Sequence, residues 1–129
     1  MPIKSSIETE NFMIVHRCTG KLSIKDFIDA FDSAIQLEGY KIGMNVLWDV
    51  QNMKIENHFE NIQQLVSHVS FKRKSRGTGY RLAAITESSM QKMLANIFKA
   101  LASQLSFTIS VFSNEDDARA WLMETREKN

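Results

Sequence analysis

The sequence predicts an α/β fold: a mostly parallel sheet with an antiparallel hairpin at its N-terminal edge, covered by about four helices. Three observations carry this. A β-prone pair of segments opens the chain, strand-type apolar runs then alternate with amphipathic stripes, and a capping residue stands where each stripe begins. Chains that alternate in this way build parallel strands joined by helical crossovers. The length of 129 residues suits one core, so a single domain over 1–129 is expected.

Ile3 to Glu8 and Phe12 to Cys18 flank the polar break Thr9-Glu10-Asn11 and read as the hairpin. Thr19-Gly20-Lys21 reads as the turn after it. Ile24, Phe27, Ile28, Phe31 and Ile35 recur at helical offsets, and this first helix is expected to stop at Gly39, where a left-handed cap fits. Met44 to Val50 is nearly continuous apolar sequence, the pattern of a strand covered on both faces. Phe59, Ile62, Leu65, Val66 and Val69 make a second helical stripe, and Arg81 to Ile85 another buried strand. Met90, Met93, Leu94, Ile97, Phe98, Leu101 and Ala102 make the third helix. Phe107 to Phe112 is the last strand, and Ala118, Trp121 and Leu122 mark a short final helix.

Ser23, Asn57, Ser88 and Ser113 each precede a stripe, with Asp26, Glu60, Gln91 and Asp116 three residues on. A cap side chain accepts orphan backbone N–H groups, and the later residue can answer it. Only Ser88/Gln91 has the strict capping-box types.

Composition excludes more than it names. Sixteen basic against fifteen acidic residues leave +1, which selects no partner. The single cysteine, Cys18, can form neither an internal disulfide nor a multi-cysteine metal site, so a reducing, cytoplasmic compartment is expected. Met1 to Ser6 lacks a signal-peptide core, and no apolar run approaches the ~20 residues of a transmembrane helix. Membrane contact, if any, is expected to be peripheral, at the inner face.

No residue set reads as catalytic, metal-binding or cofactor-binding. His16 shares a strand face with Cys18 but has no further ligands at metal spacing. His68 falls on a polar helix row and His58 in a first turn, neither beside a nucleophile. Asp26, Asp29 and Asp32 alternate with the apolar stripe and read as a solvated face. Asp49 closes a buried strand at the edge where open α/β sheets bind ligands; it can meet a ligand or hold the following loop. Gly77-Thr78-Gly79 precedes a strand and lacks both phosphate-loop patterns, so it is a turn.

Two features stand out. Lys72, Arg73, Lys74 and Arg76, with Arg81 after them, oppose only Glu60 between residues 57 and 81, a local +4 that the total hides. Such a run either complements a helix C-terminus or faces an anionic partner; interleaved aromatics for nucleic acid are missing. The third helix has an apolar arc widened by Ala95 and Ala100 and rich in Met90, Met93 and Phe98. It is either buried all round or offers a surface to a ligand, a membrane or a second subunit.

Gly20-Lys21-Leu22-Ser23, Leu47-Trp48-Asp49-Val50, Arg81 to Ile85, and Val111-Phe112 followed by Ala118-Arg119-Ala120-Trp121-Leu122 resemble the SpoIIAA-like (STAS/SEC14-type) family across residues 12 to 122. The resemblance implies a STAS-like sheet-and-helix fold without enzymatic activity. Relatives that regulate sigma factors are phosphorylated on a Ser or Thr after the strand ending in aspartate. Asp49 matches that aspartate, yet no Ser or Thr lies between it and Ser67, so the switch has no acceptor here. Likeness to SEC14-type lipid carriers implies an apolar ligand or a membrane surface instead.

The expectation is therefore a binding domain for an apolar or amphiphilic, lipid-like molecule. Met90, Met93, Leu94, Ile97 and Phe98 would contact the ligand or membrane, and Lys72, Arg73, Lys74 and Arg76 would face anionic headgroups. The alternative is a protein-interaction module, with a homodimer through the third helix as one form.

Overall fold

The computed structural model describes residues 2–55 and 61–127. Its elements run β1 (Ile3–Glu8), a 3-10 turn (Thr9–Asn11), β2 (Met13–Leu22), α1 (Ile24–Ala34), β3 (Asn45–Ile55), α2 (Ile62–Phe71), α3 (Arg73–Arg76), β4 (Arg81–Ile85), α4 (Ser89–Leu101), β5 (Thr108–Phe112) and α5 (Glu115–Glu127). The strands lie in sequence order, β1-β2-β3-β4-β5. The first pair is antiparallel and the rest are parallel.

That order decides where the helices go. Strands added in one direction by crossovers of one hand place every crossover on the same face. Residues of α1, α2 and α4 accordingly join Ile14, Val46, Val50, Leu82, Ala84 and Ile109 in the larger core. The alternate strand residues Met13, Val15, Leu47, Ala83 and Ile85 point the other way, as a period of two requires. Ala118 and Leu122 of α5, which follows the last strand, close this second face.

Several boundaries differ from the sequence reading. Thr19-Gly20-Lys21 does not turn the chain: β2 runs on to Leu22, paired with Asn52 to Ile55 of an equally prolonged β3. Gly20 does hold the positive φ (74°) of a turn residue, but inside the strand. The register against β2 shifts beyond Arg17 and Asp49, so β3 carries one extra residue there, a bulge. Asp49 thus lies inside its strand and does not end it, although its partner Ile85 is the last residue of β4.

α1 stops at Ala34, and Gly39 keeps its positive φ five residues further on. The final helix is not short, reaching from Glu115 to Glu127. Lys72 separates an additional four-residue helix, α3, from α2.

Ser23/Asp26 and Ser88/Gln91 form capping boxes. At α5 the cap is Asn114 and not Ser113: its Oδ1 accepts the Asp117 N–H at 2.9 Å. The Asn57/Glu60 start, with His58 and Phe59, lies outside the described residues.

Candidate functional site

Between the sheet and helices α1, α2 and α4 lies a cavity of about 120 Å³. The strands supply its floor through Ile14, His16, Val46, Trp48, Leu82 and Ala84. Phe27 and Phe31 of α1, Leu65 and Val69 of α2, and Leu94, Ala95 and Phe98 of α4 cover it. Nearly every lining group is apolar, because this is the face where the amphipathic stripes meet the buried side of the strands.

The polar groups on the wall are few. His16 is buried, its ring stacked on Trp48 with centroids 3.7 Å apart. Its Nδ1 is 2.7 Å from Ser5 Oγ. Burial first, and the nearby Arg76 charge second, push its pKa down to about 3, so the ring is neutral. Gln91 is satisfied: its Nε2 donates to the Gln51 and Met53 carbonyls, both at 3.0 Å, and its Oε1 accepts from Glu87 and Ser88 N–H. It stitches the start of α4 to the prolonged end of β3.

Arg76 is the exception. It is 3 % exposed and lines the cavity, so it does not join Lys72, Arg73 and Lys74 at the surface as the sequence reading expected. The reason is helical geometry: Arg76 falls seven residues after Val69, on the row of the buried α2 stripe, which α3 continues. Its Nη2 donates to the Met44 carbonyl at 2.6 Å, and its guanidinium lies 3.8 Å from the Tyr80 ring centroid. Nη1 has no hydrogen-bond partner.

The turn around Arg76 is tightly held. Tyr40 hydroxyl donates to the Ser75 carbonyl at 2.8 Å, and Gly43 N–H to the Arg76 carbonyl at 3.0 Å. Gly77, at φ 90°, leaves no space for a side chain, since a Cβ would stand 2.8 Å from Gly43 N.

The remaining expected site residues divide between wall and surface. Leu94 is buried on the cavity wall, Phe98 is half-buried there, and Ile97 is half-buried beside them. Met90 and Met93 are exposed, as are Arg73 and Lys74, while Lys72 is half-buried. Phe71, off the stripe of α2 and unremarked in the sequence reading, is 83 % exposed directly before this basic turn.

Arg81 leaves the basic group altogether. It packs on the Trp121 ring of the opposite face and donates to the Trp121 carbonyl at 2.7 Å. Asp49 also faces α5: it accepts from Gln51 N–H (3.2 Å) at the bulge and from Arg17 (3.0 Å). His68, expected on a solvated row, bonds Asp32 at 2.7 Å. Among the described residues no group of three His, Cys, Asp or Glu is placed to hold a metal ion. None of the described helices is long and apolar enough to cross a membrane.

Three crossover helices over one face, one helix over the other and an antiparallel edge hairpin make this a SpoIIAA-like architecture. The SpoIIAA-like family model matches residues 13–123, and the chain belongs to that family. An uncharacterized protein of the DUF3478 family from Shewanella loihica PV-4, described as having a SpoIIAA-like fold, is similar in structure with a TM-score of 0.59. The two share 17 % identity over 93 % of this chain and 91 % of that one, a likeness of fold alone. No curated protein matches the chain.

Proposed function

We propose that this SpoIIAA-like domain is a non-enzymatic binding domain that holds a small apolar or amphiphilic molecule beneath α1, α2 and α4. The observation that carries the reading is the cavity. Interiors pack to about the density of organic crystals, at ~0.75, so a space of about 120 Å³ is a departure that needs a reason. Ligand sites in general are concave and apolar, with a few placed polar groups.

Its size limits the guest. An engineered cavity of ~150 Å³ takes up benzene or xenon, so one ring or a short branched chain fits here. A long acyl chain needs α2 and α4 to part. Half-buried Leu65, Ala95 and Phe98 mark the seam between those helices as the mouth.

The test uses toluene as a neutral probe. Saturable amide and ring shifts at Trp48, Ala84 and Leu94 are expected in an NMR titration. No shifts, or shifts confined to exposed residues, remove the reading.

Exposed Phe71 beside Lys72, Arg73 and Lys74 supports a peripheral contact with an anionic membrane surface, on the cytoplasmic side that a lone cysteine suits. Each basic residue near such a surface contributes about 1 kcal/mol. Lys72/Arg73/Lys74→Glu is therefore expected to weaken flotation with phosphatidylglycerol vesicles about a hundredfold or more. Binding indifferent to that change and to salt rules the contact out.

A second reading rests on α4, where Met90, Met93 and Leu101 are exposed at 52 %, 45 % and 40 %. Light scattering on the same samples, with a mass that doubles on concentration and falls back in Met93→Asp, would mark α4 as a subunit contact instead.

A further inference from the structure

The geometry points to a carboxylate on the bound molecule, received by Arg76 inside the cavity. The inference rests on the cavity being a ligand site and adds the chemistry of the ligand's polar end. Arg76 is 3 % exposed, and none of the ion pairs among the described residues includes it. Buried charges are ordinarily paired, because removing an ion from water without a counter-charge is costly. Burial pushes the Arg76 pKa down, yet a guanidinium is not deprotonated in proteins, so Arg76 does not escape that cost by losing its proton.

The neighbours of Arg76 satisfy only part of it. The Met44 carbonyl takes Nη2 at 2.6 Å, and the Tyr80 ring lies 3.8 Å beneath the guanidinium. A carbonyl and an aromatic face accept a cation weakly and supply no net negative charge. Nη1 keeps its donors unused in a wall whose other polar side chains carry no charge: neutral His16, the Tyr80 hydroxyl, the Trp48 indole and Gln91 with its bonds made. Hydrogen bonds across this turn and a Gly77 with no room for a side chain hold the guanidinium in place. A preorganised cation with free donors beside a largely apolar space fits a small carboxylic acid with an apolar body. The carboxylate would meet the Arg76 guanidinium, and the ring or branched chain would fill the space.

Three probes of one shape decide it: benzoate, benzamide and toluene. A charge-assisted bond is about twice as strong as a neutral one. At neutral pH benzoate is therefore expected to bind about tenfold tighter than benzamide or toluene, with shifts at Trp48 and His16. Arg76→Met should remove that preference and leave toluene binding in place.

If benzamide or toluene binds as tightly as benzoate, the inference falls while the cavity reading stands. If no probe binds, both fall. A benzoate preference that disappears in Lys72/Arg73/Lys74→Glu places the anion on the surface and also overturns it. Should Arg76→Met fail to fold, the comparison of the three probes on the unaltered protein still decides.

Discussion

Replacing Leu122 by alanine is expected to cost about 3–5 kcal/mol of folding stability. Leu122 is completely buried and packs with Ala118 against Leu47, Ala83 and Ile85. None of these residues lines the cavity, so that space cannot absorb the lost volume, and the cost should lie high in the usual range. The Leu122 backbone adds a polar tie between α5 and β3, since its carbonyl accepts Asn45 Nδ2 at 3.0 Å. With a total stability of about 5–15 kcal/mol for a typical domain, the variant should remain folded with a much lower urea midpoint and an unchanged slope. Met93→Ala, on an exposed site, serves as the control and should change stability by no more than about 0.5 kcal/mol. Since α5 lies across the sheet from the cavity, the folded Leu122→Ala protein should bind apolar probes as before. A cost below about 1 kcal/mol would mean that α5 is not a docked part of the core.

The contrast between the two faces also explains what could be read from the chain. β4 is legible to the residue because Arg81 to Ile85 is buried on both sides and its composition says so. The box at Ser88 is legible because both of its partners are local in sequence. The prolonged ends of β2 and β3 are not. Thr19 to Leu22 and Asn52 to Ile55 have only Leu22, Met53 and Ile55 as apolar residues and pair mainly with each other, beyond the reach of β4. Each alone resembles a loop, and only a contact over some thirty residues makes them strands.

Arg76 was hidden for a different reason. Its place in a run of four cations suggests a solvated turn, whereas its spacing from Val66 and Val69 puts it on the buried row. Periodicity was the better guide there, and charge the worse. Phe71 is the converse, an aromatic off the stripe and therefore outside. The cavity itself has no signature in the sequence, because it is the space left between stripes that each look ordinary.

Acid is expected to destabilise the protein in two stages, each traceable to named groups. His16 comes first. Its imidazole is held neutral, with a pKa of about 3 against an ordinary 6.5, so between those values the unfolded chain binds a proton that the folded one refuses. Stability must then fall as pH drops through that window, by about 1.4 kcal/mol per pH unit.

The carboxylates follow. Arg119 bonds Glu8 at 2.7 Å and Glu115 at 2.7 Å, and Arg17 bonds Glu115 at 2.7 Å and Asp49 at 3.0 Å, pinning α5 to β1 and β2 and, through Arg17, β2 to β3. The Arg119 hydrogen bond lowers Glu8 to about 2, and the Arg17 hydrogen bond lowers Glu115 to about 2, from an ordinary 4.5. Their stabilisation is complete above pH 4.5 and is lost as pH falls toward 2. Because both groups are partly solvated, the pair should contribute roughly 2–4 kcal/mol, less in high salt.

Urea denaturation from pH 7 to 3 should therefore show a one-proton slope that steepens below about 4.5. His16→Phe is expected to flatten the upper stage and to take one proton off the slope down to about pH 3, whereas Glu115→Gln reduces only the added steepness below 4.5. Stability that does not change between pH 6.5 and 5 would contradict a buried neutral His16 on the cavity wall.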